Sequence, residues 1–117
     1  MAGILIVDDS PVNRNILENI LKAEGFEVAG QATNGREGFE EFVLKSPDIV
    51  TLDVSMPEMD GIQALRMMKA HNPNAKIIIL SADRQQEMKE KAALYGADGF
   101  ITKPYQKAEI IEAIRGC

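Results

Sequence analysis

The chain has no tryptophan and one cysteine, Cys117, so no disulfide can form within it and a disulfide-stapled scaffold is excluded. Basic residues are in deficit: 13 Lys and Arg stand against 18 Asp and Glu, a net charge of -5. Phosphate-rich partners call for a basic face, so direct binding of nucleic acid is not expected. Long apolar runs are also missing. Ile4–Val7 and Ile77–Leu80 are far too short to span a bilayer. No basic region precedes a signal-type apolar segment after Met1-Ala2-Gly3, and a soluble cytoplasmic protein is expected. Only one histidine, His71, is present, and one imidazole makes no zinc site.

What is present is an ordinary globular composition, 45% hydrophobic over 117 residues, fitting one domain over 1–117. Five apolar runs stand out: Ile4–Val7, Phe26–Ala32, Asp48–Leu52, Lys76–Leu80 and Gly99–Thr102. Four are nearly continuous in Ile, Val and Leu, the mark of parallel strands covered on both faces. Phe26–Ala32 is more polar and suits an edge. Helical patterns lie between and after them. Pro11–Glu24 aligns Val12, Ile16, Leu17, Ile20 and Leu21 on one face, with Gly25 as its stop. Arg36–Lys45 offers Phe39, Phe42 and Val43; Gly61–His71 offers Ile62, Leu65 and Met68. Arg84–Tyr95 offers Met88, Ala92 and Tyr95, with Gly96 as stop, and Gln106–Arg115 offers Ile110, Ile111 and Ile114. Five strand–helix repeats with right-handed crossovers predict an α/β fold, a doubly wound (βα)5 sandwich. Ser10 reads as a helix cap, Asn34-Gly35 as a turn, Asp60-Gly61 as a cap or turn, and His71 as a solvated residue.

Open parallel sheets bind ligands beyond the carboxyl ends of their strands. Asp8 and Asp9 follow the first strand, Asp53 closes the third, Ser81 follows the fourth and Lys103 the fifth. Carboxylates gathered at one point need a cation. An all-oxygen site suits Mg²⁺, or Mn²⁺, better than Zn²⁺. A carboxylate beside such an ion can attack phosphorus, and a lysine can pair with a phosphoryl oxygen.

The segments Val7-Asp8-Asp9-Ser10, Asp53-Val54-Ser55-Met56-Pro57-Glu58-Met59-Asp60-Gly61, Ser81-Ala82 and Lys103-Pro104 resemble the receiver domains of two-component response regulators. The resemblance covers nearly the whole chain and implies the strand order 2-1-3-4-5 (the flavodoxin-like, CheY-like arrangement). It implies Asp53 as phosphoacceptor, Asp9 as a direct and Asp8 as a largely water-mediated ligand of Mg²⁺, and the Ser55 backbone carbonyl as a further ligand. It also implies that Ser81 swings toward the phosphoryl group, that Lys103 pairs with it, and that Phe100 is the switch aromatic. The Lys103-Pro104 bond would be cis. Ser55 and Asp83 would tune hydrolysis.

The function so implied is a signalling switch in a phosphorelay, not an enzyme acting on a diffusible substrate. It would take a phosphoryl group from a sensor histidine kinase or histidine phosphotransfer domain. A protein target would dock on the surface of the fourth helix, fifth strand and fifth helix, with chemotaxis as its setting and a monomer as its state. Within the family, the alternative is a receiver excised from a larger response regulator or hybrid kinase. A metal-dependent phosphatase would show Asp-x-Asp at the first strand and a cap domain. A flavodoxin-like electron carrier would not place Asp8-Asp9 where the flavin phosphate must sit.

Overall fold

A computed structural model of the chain describes residues 3–54, 61–82 and 86–117. Strands and helices alternate as β1 (Gly3–Val7), α1 (Pro11–Ala23), β2 (Glu27–Ala32), α2 (Gly35–Lys45), β3 (Ile49–Asp53), α3 (Gly61–His71), β4 (Lys76–Ser81), α4 (Gln86–Leu94), β5 (Gly99–Thr102) and α5 (Lys107–Arg115). All pairings are parallel, and the order across the sheet is β2-β1-β3-β4-β5. The doubly wound fold and its strand order are therefore as expected from the sequence. β2 is an edge, and most of its residues are only half-buried.

The strand runs are aliphatic on both sides because helices cover both sides. Leu5, Val7, Val50, Leu52, Ile77 and Ile79 pack with Phe42, Ile62, Leu65, Met68 and Ala92 of α2, α3 and α4. Ile4, Ile6, Ile49, Ile78, Leu80 and Ile101 pack with Leu17, Leu21, Ile110, Ile111 and Ile114 of α1 and α5. Burying each such large aliphatic side chain contributes about 1.5–3 kcal/mol. The helices are not equally anchored: α3 buries Ile62, Ala64, Leu65 and Met68, whereas α4 fully buries Ala92 alone among its residues.

Local signals set the helix ends. The Ser10 side chain accepts from the Asn13 N–H at 3.2 Å and caps α1, and Pro11 opens the helix. Gly25 (φ 88°) and Gly96 (φ 94°) end helical segments in the left-handed region, where a side chain is strained. Met68 is core and Met67 its half-buried flank.

Two local expectations need correction, and a third, the solvated His71, holds with an addition. Asn34-Gly35 is not a free turn: Asn34 caps α2 by accepting from the Glu37 N–H at 2.8 Å, and Gly35 is the helix's first residue. Val12 and Ile16 do not join the core but are 64% and 52% exposed, and Val43 is 41% exposed. Val12 lies in the first turn of α1, just past the end of β1; Leu17 and Leu21, further along, are the residues that reach the core. His71 is exposed, yet its ring meets Phe39 and Phe42 edge-on at 6.0 Å. Ser55, Asp60, Asp83 and Arg84, for which roles or boundaries were expected, lie outside the described residues.

Thr51 is fully buried on β3 between Ile6 and Ile78, and its hydroxyl has no hydrogen-bond partner among the described residues. An orphaned buried hydroxyl costs about 1–3 kcal/mol. Valine has nearly the same shape without that oxygen. Thr51→Val is therefore expected to raise stability by about 1 kcal/mol, read as a higher urea midpoint at unchanged slope. A lower midpoint would show that the hydroxyl is satisfied in solution.

Candidate functional site

The parallel register brings the polar strand ends together. Val7 pairs with Leu52 across β1 and β3, so Asp8 and Asp53 follow on adjacent central strands. Asp53 pairs with Leu80, and Ser81 with Thr102. The ends are tied by backbone bonds: Asp8 N–H to Ala32 O at 3.1 Å, Val54 N–H to Leu80 O at 3.1 Å and Lys103 N–H to Ser81 O at 2.7 Å. β5 lies two strands from β3, about 10 Å away. The long Lys103 side chain crosses that width, and its Nζ reaches Asp53 Oδ2 at 2.9 Å and Asp8 Oδ2 at 3.4 Å.

Asp53 is 2% exposed and Asp8 5% exposed. Asp9 is exposed. Carboxylate oxygens of all three lie within 4.8 Å of one another. Burial pushes the Asp8 carboxyl above its ordinary value. The bond from Ser10 N–H at 2.9 Å opposes this, the Asp53 charge adds to it, and Lys103 opposes it. Burial works against the Lys103 ammonium, but the hydrogen bond and charge of Asp53, followed by Asp8, outweigh it and hold Lys103 above its ordinary value. Three carboxylates facing one ammonium leave two negative charges uncompensated at close range. Two like charges 4 Å apart repel by about 4 kcal/mol at an effective dielectric of 20. The donor set is hard oxygen without sulfur or imidazole, and a divalent cation would bring the formal sum to zero. These residues thus fit such an ion and could hold one.

The response regulator receiver domain family model matches residues 4–115. The chain belongs to that family. This receiver is similar to the chemotaxis protein CheY of Thermotoga maritima, 49% identical over 95% of the chain and 92% of the relative. It is likewise similar to the CheY of Bacillus subtilis, 47% identical over 95% of the chain and 92% of the relative. Among solved structures, CheY in the CheX–CheY–BeF3–Mg²⁺ complex from Borrelia burgdorferi superposes with a TM-score of 0.94 at 33% identity, covering 98% of this chain and 87% of that one. The receiver is accordingly of the CheY chemotaxis type.

Of the residues singled out in the sequence, Asp8, Asp9, Asp53 and Lys103 converge directly. Ser81 sits at the same sheet edge, 1% exposed. Phe100 is two residues before Thr102 on β5 and packs half-buried against the α2–α3–α4 side of the core. The Lys103–Pro104 bond is cis. Two residues escaped the sequence reading. Tyr105, half-buried, lines a groove of about 450 Å³ beside the receiver's acidic cluster, together with Asp8, Asn13, Ile16, Ile20 and Lys103. Arg14 donates from Nη1 to the backbone oxygen of Asp8 at 2.7 Å. A bond to a main-chain carbonyl leaves no trace in residue type, and Arg14 at the start of an amphipathic helix reads as a solvated charge.

Among the described residues, no helix is long and apolar enough to cross a membrane.

Proposed function

We propose that this receiver is a phosphorylation-driven switch in which Asp53 accepts a phosphoryl group from a sensor histidine kinase or a histidine phosphotransfer domain. The observation that carries this reading is a nearly dry Asp53 carboxylate paired with Lys103 at 2.9 Å inside a cluster of three acids. A carboxylate oxygen of Asp53 attacks phosphorus, the bond from phosphorus to the donor's imidazole nitrogen breaks, and an acyl phosphate forms. Mg²⁺, or Mn²⁺ in its place, would be held by Asp8, Asp9 and Asp53, with the Ser55 carbonyl as a further donor. Bound there, the ion offsets charge on the transferring group. Lys103 pairs with a phosphoryl oxygen, and its reach from β5 ties the group to the far side of the sheet. The Ser81 hydroxyl donates to the same group.

Ser81 and Phe100, at the end of β4 and on β5, couple the site to the α4–β5–α5 surface, where a protein target docks. The output is binding; the receiver catalyses only its own phosphoryl transfer and dephosphorylation. It works in the cytoplasm as a monomer. The Borrelia relative, solved with Mg²⁺ and CheX, supports both the ion and a protein partner.

Intact mass after incubation with acetyl phosphate tests this. One phosphoryl adduct is expected with Mg²⁺ and none after chelation, and Asp53→Asn is expected to take up none. No adduct on the unaltered chain under any condition would overturn the reading and leave a receiver that signals by binding alone.

A further inference from the structure

Arg14 stands in the first turns of α1 and makes two side-chain hydrogen bonds through different nitrogens of its guanidinium. Nη1 donates to Asp8 O at 2.7 Å, and Nε donates to Gln31 Oε1 at 3.0 Å. The series continues outward: Gln31 Nε2 donates to Glu18 Oε1 at 2.8 Å, and Glu18 pairs with Lys22 at 2.9 Å. The planar guanidinium, clamped at Gln31 on β2, therefore presents a fixed donor to one backbone oxygen.

That oxygen belongs to the peptide unit linking Asp8 to Asp9. A peptide unit is planar, so fixing its oxygen sets the direction in which the Asp9 Cα leaves. The Asp8 side chain has other supports: Oδ1 accepts from Ser10 N–H and Oδ2 from Lys103. Asp9 is exposed.

Resting on the divalent-cation reading above, we propose that Arg14 is a positioning residue for the metal site: it locks the Asp8–Asp9 peptide so that the Asp9 carboxylate stays beside those of Asp8 and Asp53. The contribution is geometric, with Gln31 as its anchor. A guanidinium acting only through its charge would need neither the plane nor the anchor.

The test is Mn²⁺ binding by titration calorimetry on the full chain, without any phosphodonor, beside thermal unfolding in chelator. Partners that orient metal ligands are worth 10–100-fold in affinity, so Arg14→Ala is expected to weaken Mn²⁺ about tenfold, and Gln31→Ala about threefold with the charge intact. Arg14→Lys keeps the charge but not the two-point plane, and is expected to recover less than half of the loss on a logarithmic scale. Lys22→Ala, at the far end of the series, is expected to leave Mn²⁺ affinity unchanged. Should Arg14→Ala not fold, Arg14→Lys and Gln31→Ala carry the comparison.

Unchanged affinity in the Arg14 and Gln31 variants overturns the proposal. So does full recovery by lysine, or an equal loss in Lys22→Ala. An unaltered chain that binds no Mn²⁺ overturns instead the metal reading beneath it.

Discussion

Replacing Lys103 with alanine is expected to cost about 3 kcal/mol of stability at pH 7 in chelator. Asp53 and Asp8 are nearly dry, and Lys103 bonds to both. Removing one member of a buried ion pair leaves its partners charged in a poor solvent, which costs far more than losing a surface bridge. The whole stability of such a domain is about 5–15 kcal/mol, so the variant is expected to be marginal. The loss is expected to depend on pH. Burial already holds the Asp8 carboxyl above 3.8, its ordinary value. Without Lys103, which lowers it, the folded state favours the protonated Asp8 carboxyl still more, so it binds more protons than the unfolded chain. Its stability therefore rises as pH falls from neutral toward the unfolded carboxylate value, and the deficit against the unaltered chain shrinks. Urea unfolding at pH 7 and pH 5 measures this. An equal deficit at both would show that Lys103 contributes through packing and not through charge.

Gly61→Ala is expected to cost about 2–3 kcal/mol despite alanine's higher helix propensity. Gly61 opens α3, and a Cβ added there would lie 2.6 Å from the Val54 Cα. Real atoms do not approach that closely, and what must yield is main chain, not the tip of a flexible side chain. The gain in propensity is at most about 1 kcal/mol and smaller in a first turn, so the clash decides the sign. Val54 directly follows Asp53, so relief of the clash also displaces the acidic cluster. A fall of several degrees in the thermal midpoint is expected, together with slower phosphoryl uptake from acetyl phosphate. A midpoint at or above that of the unaltered chain would mean that α3 shifts freely away from β3.

Much of the fold was legible because its strands are central. Ile77, Ile78, Ile79 and Leu80 have no polar face, and only a doubly covered parallel strand asks for that. The site was legible for a related reason. Once the strands are placed, Asp8, Asp53, Ser81 and Lys103 fall at strand ends that must share an edge. Val12 and Ile16 were misread because helical periodicity reports a face, not how far along it the core reaches. Asn34 was read as a turn because Asn-Gly serves both turns and caps, and tertiary context chooses. Arg14 escaped notice because its partner is a carbonyl, which every residue carries.

The uneven anchoring of the helices has a mechanical consequence. α3 is fastened by Ile62, Leu65 and Met68, whose burial is worth about 1.5–3 kcal/mol each. α4 fully sinks one methyl group, that of Ala92, worth about 0.8 kcal/mol. A rearrangement of charge at the sheet edge releases a few kcal/mol at most. That is too little to pry α3 loose, whereas α4 is held by the Ala92 methyl and the half-buried Met88. The helix with the least fully buried anchorage is therefore the one expected to yield first to a disturbance at the acids, and hydrogen exchange faster in α4 than in α3 would show it.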